Sequence, residues 1–154
     1  MTIDHALGIA GAPNSPPDAA ASRAITWEAA TKLVQDVEDA FGAADLERIA
    51  QGFTEDAVAR FADFPEMHGR EAIMNFLRAR FARTKFYRLR KTLHVLMGER
   101  LANTWDASWE DARTGKQMLG RGTEIWHVRD GRIAVWDATF NVWEKGGPPA
   151  TPVV

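Results

Sequence analysis

The chain has 154 residues, 45% of them hydrophobic, which suits one domain of ordinary size with a real core. Its net charge is −2 and its pI about 6.1, so the molecule as a whole offers no nucleic-acid footprint. It has no cysteine, which excludes disulfides and thiolate metal sites, and no apolar run long enough to cross a membrane.

Residues 1–24, rich in Ala, Gly, Pro and Ser, are expected to form a disordered tail. Residues 146–154 form a second, Gly/Pro-rich tail, and 25–145 are left as a single domain. The start carries neither a basic run nor a continuous apolar stretch, so no signal peptide and a cytoplasmic location are expected.

Thr26 is a plausible N-cap for a first helix, with Glu28 in its first turn. Trp27, Ala30, Leu33, Val34, Val37, Ala40, Phe41 and Ala44 then recur at helical spacing. Asp45 caps a short second helix with Leu46, Ile49 and Phe53 inward. A short strand follows around Val58 to Phe61, and "HGREAIMNFLRARFAR" predicts a third helix with Ala72, Ile73, Phe76, Leu77 and Phe81 on its apolar side. Beyond residue 85 the period changes to two: "FYRLRKTLHVLM", "LANTWDASWED", "MLGRGTEIWHV" and "RIAVWDATFNVW" read as four strands in a meander, the last pair joined at Asp130-Gly131. The expectation is an α+β fold in which three N-terminal helices cover one face of a strongly curved antiparallel sheet.

Within "GTEIWHV", alternation sets Gly122, Glu124, Trp126 and Val128 on one face and Thr123, Ile125, His127 and Arg129 on the other. A carboxylate therefore shares a strand face with a tryptophan and a valine.

The stretches "AADLERIAQGFTEDAV", "HGREAIMNFL" and "GTEIWHVRDGRI", in this order, resemble the nuclear-transport-factor-2-like superfamily, the cone fold shared by steroid isomerase, scytalone dehydratase and the SnoaL-like cyclases. "FYRLRKTLH", "SWEDARTGKQ", "GTEIWHV" and "DATFN" are similar to a bacterial family of unknown function within it, over about residues 26–143. The resemblance implies a cone whose concave sheet face is half core and half pocket. That face would carry Trp105, Ala107 and Trp109, then Gly122, Glu124 and Trp126, then Trp136, Ala138 and Phe140, with the small residues leaving room for a ligand. A carboxyl in such a wall is poorly solvated, so the pKa of Glu124 is expected to rise, which suits a proton donor near neutral pH. The plainer alternative is that Glu124 bonds a backbone group or Arg121 at the sheet rim.

Local alignment with steroid isomerase puts that enzyme's tyrosine place at Val37, its base place at Phe61 and its acid place at Glu124. Only the acid survives, so any proton chemistry needs another base. Asp63 and His68, in "FADFPEMHG" at the expected cone mouth, are the candidates, with His94 on the following strand behind them. Their plain readings are a turn residue, a filler at the helix entry and a surface strand residue. SnoaL-like cyclases use a late-strand aspartate, but alternation puts Asp137 on the outer face.

Residues 70–91 hold eight Arg or Lys and one acid, whereas residues 1–69 hold twelve acids and four bases. This is read as a solvated helix and strand edge, with an anion-friendly rim as the alternative. Histidine spacing gives no metal motif, and no nucleotide or nucleophile-elbow motif is present. No metal or cofactor is expected.

Two function classes follow. One is a cofactor-free isomerase, cyclase or dehydratase acting by proton transfer on a small, apolar carbonyl compound. Phe61, Trp105, Trp109, Trp126, Trp136 and Phe140 would bind the substrate, Glu124 would polarise an oxygen, and Asp63 or His68 would move the proton. The other is a non-catalytic ligand-binding or assembly module. A second titratable group facing Glu124 would favour the first. The outer face, with Ile125, Val135 and Thr139 around His127 and Asp137, is expected to pair two copies into a homodimer.

Overall fold

The structure, a computed structural model, describes residues 24–150. The expected N-terminal tail, apart from Ala24, and the last four residues of the C-terminal tail lie outside the described residues.

Helix α1 spans Trp27–Gly42, and Thr26 caps it by accepting the Ala29 amide at 3.2 Å. Its stripe of Ala30, Val34, Val37, Ala40 and Phe41 is buried, whereas Trp27 stays exposed. Helix α2 spans Leu46–Gln51, capped by Asp45. Phe53, expected on this helix, instead opens strand β1 (Phe53–Phe61), because Gly52 ends the helix after six residues. A two-residue strand β2 (Met67–His68) pairs back on β1 before helix α3 (Arg70–Phe81), which buries Ile73, Met74 and Leu77.

The rest is the expected meander: β3 (Thr84–Met97), β4 (Arg100–Asp111), β5 (Gln117–Arg129) and β6 (Arg132–Glu144). Asp130 and Gly131 both have positive φ, 51° and 71°, as a two-residue turn matched to strand twist requires. The sheet order is β2-β1-β6-β5-β4-β3. It is antiparallel except at one place: β1 runs parallel to β6, with Ala59 opposite Trp136 and Phe61 opposite Ala138. The chain reaches β6 from β1 only after α3 and the meander, and this long return lets the two strands run the same way.

The helices lie on the concave face. Val34, Phe41, Ile73 and Leu77 meet Phe53, Leu101, Trp126, Ile133 and Trp136 of the sheet in one core. Strand β3 is an edge, and an edge strand leaves amides unpaired. Glu38 of α1 covers one of them, its Oε2 accepting the Lys91 amide at 2.6 Å.

Candidate functional site

Period-two alternation on β5 holds: Glu124, Trp126 and Val128 are buried, while Thr123, Ile125 and Arg129 are exposed. Glu124 is only 3% exposed. The same alternation on β3 turns Tyr87, Leu89, Lys91 and Leu93 toward the core and Arg88, Arg90 and Thr92 to solvent. Lys91 therefore enters the cone from the edge strand, and its Nζ lies 2.6 Å from Glu124 Oε2. The indole N–H of Trp126 donates to the same oxygen at 2.9 Å. Lys91 Nζ also stands 3.5 Å from Asn103 Oδ1 and 5.2 Å from the centre of the Trp126 ring.

Both ends of this ion pair are out of water, with side chains 3% and 4% exposed. Burial pushes the Lys91 ammonium below its ordinary range, and the Glu124 charge holds it back only in part. Burial also pushes the nearby Tyr87 hydroxyl upward. Glu124 is therefore no lone acid in an apolar wall. Its partner is Lys91 rather than Arg121, which faces Asp106 across the outer surface.

The pair lies against a small inner cavity of about 10 Å³, bordered by Tyr87, Leu89, Trp105 and Trp136 among others. That is room for about one water. The indole N–H groups of Trp105 and Trp136 are buried and have no hydrogen-bond partner. Space expected from the small residues is partly filled. A Cβ at Gly122 would meet the Trp105 indole at 2.7 Å and the Thr139 carbonyl at 2.6 Å, so this glycine admits the tryptophan ring rather than a ligand.

A much larger cleft of about 530 Å³ opens between α3 and the ends of the sheet. Its walls are Phe61, Phe64, Phe76, Trp109, Met118, Phe140 and Val142, with Arg80, Arg83 and Asp111 supplying charge. This size and apolar character suit a small-molecule site. The Phe61 ring centre lies 4.5 Å from Phe140 and 5.1 Å from Phe76, which makes one aromatic wall. Phe61 and Arg80 border both spaces, so the cleft and the inner cavity meet there. Another cleft, of about 390 Å³, lies between α1 and the β5–β6 turn, but it has no buried ionisable residue on its walls.

The structure distributes the six expected aromatic residues. Phe61 borders both spaces, Trp105 and Trp136 the inner cavity, and Trp109 and Phe140 the outer cleft. Trp126 lies behind the cavity and holds Glu124. Asp63 is exposed in the turn after β1, and His68 is exposed with its Nε2 2.9 Å from Glu66; neither borders the cleft or the cavity. His94 bonds Thr104 on the outer face, and Asp137 likewise borders neither space. Sequence reading missed Lys91, Tyr87 and Arg80. The period-two set Tyr87, Leu89, Lys91 and Leu93 was the signal for the first two. Among the described residues, no group of three or more His, Asp or Glu could hold a metal ion. No helix of the described residues is long and apolar enough to cross a membrane.

The model of the family described as "Protein of unknown function (DUF1348)" matches residues 23–144. The chain belongs to the DUF1348 family. No curated protein matches it. Among solved structures, this DUF1348 protein is similar to a candidate polyketide cyclase from Xanthomonas campestris pv. campestris, with 23% identity, 74% of this chain and 91% of that chain covered, and a TM-score of 0.68. A nuclear-transport-factor-2-like protein of unknown function from Burkholderia pseudomallei aligns at 18% identity, covering 73% and 91%, with a TM-score of 0.65. An LEH-like epoxide hydrolase of M. tuberculosis aligns at 17%, covering 74% and 84%, with a TM-score of 0.60. At these identities the likeness shows the fold: the DUF1348 protein has the nuclear-transport-factor-2-like cone.

Proposed function

We propose that the protein is a cofactor-free enzyme that moves a proton next to a carbonyl of a small, mostly apolar molecule. The observation that carries this reading is the buried Lys91–Glu124 pair at the closed end of an aromatic cleft. Paired ionisable groups in a dry, shaped site are what proton chemistry near neutral pH needs.

The pair divides the work differently from a lone acid. Lys91 and Trp126 both donate to Glu124 Oε2, so Oε1 is the oxygen for an incoming C–H. Glu124 takes the proton from the carbon beside the carbonyl, and the C–H electron pair moves onto the carbonyl oxygen. An N–H of Lys91 stabilises the negative charge that develops there. In a substrate with a C=C bond next to that carbon the enolate is a conjugated dienolate; Glu124 returns the proton to its far carbon, the double bond shifts into conjugation with the re-formed carbonyl, and the isomer leaves. The inner cavity, at about 10 Å³, is too small for the reacting group without widening.

2-Tetralone in D₂O tests this: its α-protons should exchange faster with the protein than without it, and the acceleration should vanish in Glu124→Gln at a temperature where circular dichroism shows that variant folded. No acceleration for a ring ketone that binds would leave the second reading, a ligand-binding module without turnover. The tight fill of the inner cavity is the observation in favour of that alternative.

The reading also includes a homodimer through the outer sheet face. Ile125 is 53% exposed on that face, with Asp137 opposite it and Val135 opposite His127 in the strand register.

A further inference from the structure

Arg80 sits where the outer cleft meets the inner cavity. Its guanidinium carbon lies 5.3 Å from the centre of the Phe61 ring and 5.9 Å from that of Tyr87. Its neighbours on the site walls are already matched in charge: Arg83 with Asp111 at 3.0 Å, and Lys91 with Glu124 at 2.6 Å. Three cations thus face two carboxylates, and among the described residues Arg80 has no carboxylate partner. A half-buried guanidinium with five donors, two aromatic faces beside it and no carboxylate partner among the described residues is suited to receive an anion.

The inner cavity adds to this imbalance. Trp105 and Trp136 border it, and their buried indole N–H groups have no hydrogen-bond partner, each on a side chain at most 3% exposed. Lys91 brings an ammonium to the same space. Donors outnumber acceptors there, since Glu124 is the one carboxylate on the wall. Buried donors left unpaired cost stability, and this surplus of donors at the closed end favours an acceptor-bearing ligand at its entrance.

We infer that the ligand of this site is an apolar ring compound carrying a carboxylate, and that Arg80 binds the carboxylate at the neck between cleft and cavity. The ring rests on Phe61, Phe76 and Phe140. This rests on the reading of the cleft as a small-molecule site and narrows its substrate to ring-bearing acids, including keto acids. After Lys91, it gives the basic stretch 70–91 a second member with a role apart from the solvated surface.

Calorimetric titration of the full chain with 2-naphthoate and with 2-acetylnaphthalene separates the two layers, since the probes share a ring and differ in charge. The wild type should bind naphthoate at least about tenfold more tightly, as a charge-assisted hydrogen bond implies. Arg80→Gln should abolish that preference and leave acetylnaphthalene affinity within about twofold. Arg78→Gln, which removes an exposed cation of the same helix that borders neither the cleft nor the cavity, should keep the preference. Equal binding of both probes by the wild type would overturn the carboxylate inference while the cleft reading stands. Binding of neither would overturn both. Loss of both probes in a folded Arg80→Gln, with Arg80→Lys restoring neither preference nor affinity, would show that Arg80 shapes the wall and does not recognise the anion.

Discussion

Lys91 and Glu124 belong to strands that are not neighbours, yet Nζ and Oε2 meet at 2.6 Å. Strand β4 runs between them, and its Asn103, opposite Glu124 in the register, lies under the lysine at 3.5 Å from Nζ. The curl of the sheet and the length of a lysine side chain together bridge the gap. The result is a buried charge pair with Trp126 as a third member, in a site otherwise made of rings.

Removing one partner of such a pair leaves a buried charge uncompensated. Glu124→Gln should therefore lose about 3–5 kcal/mol of stability at neutral pH. The double variant Lys91→Met with Glu124→Leu should recover most of that loss, because a packed apolar pair avoids the cost of desolvating two charges. Urea denaturation of the three proteins measures this. A single variant as stable as the wild type would contradict the pairing.

Lys91 also sets a pH dependence. Its folded pKa lies below the ordinary 10.5 because burial penalises the ammonium. Between the folded value and 10.5 the unfolded chain binds more protons than the folded one, so stability contributed at this residue rises with pH across that window. The slope is at most about 1.4 kcal/mol per pH unit for one proton. Tyr87 acts in the opposite sense: its folded pKa is raised above 10.0, so its contribution is present below that value and lost as pH climbs through the folded one. The difference between wild type and the double variant Lys91→Met with Glu124→Leu, followed by denaturation from pH 7.5 to 9.5, reports the lysine without leaving Glu124 as an unpaired buried carboxyl. A difference that stays flat over that range would place the lysine's titration outside it.

Gly122 is a packing position. An added methyl would press on the Thr139 carbonyl and the Trp105 indole at 2.6 and 2.7 Å. Gly122→Ala should lose about 1–3 kcal/mol and shift the near-ultraviolet dichroism of the tryptophans as Trp105 moves. An unchanged spectrum with unchanged stability would mean that the ring has slack to yield.

The outer face offers a test of assembly. Ile125→Asp puts a charge at the centre of the surface proposed to pair two copies. Wild type should sediment as a dimer and the variant as a folded monomer. A wild-type species of 17.1 kDa at all concentrations would remove the dimer from the reading.

Much of the architecture is written in local pattern. The helical stripe from Ala30 to Phe41, the Asp45 cap and the Asp130-Gly131 turn are short-range signals, each set by backbone sterics or by one buried face. Alternation on β5 likewise determined that Glu124 points inward, because a one-residue slip would expose Trp126 and Val128. What local pattern does not carry is distance between strands. That β1 lies parallel beside β6 follows from a long return path, and that Lys91 finds Glu124 follows from the sheet's curl over an intervening strand. Asp63 and His68 fit the chemistry by residue type, yet a turn after β1 and a two-residue strand turn them to solvent. Periodicity assigns a face to each side chain; only the closing of the cone, with helices over one side, decides which long side chains meet inside it and which cation, Arg80, is left at the neck without a carboxylate partner among the described residues.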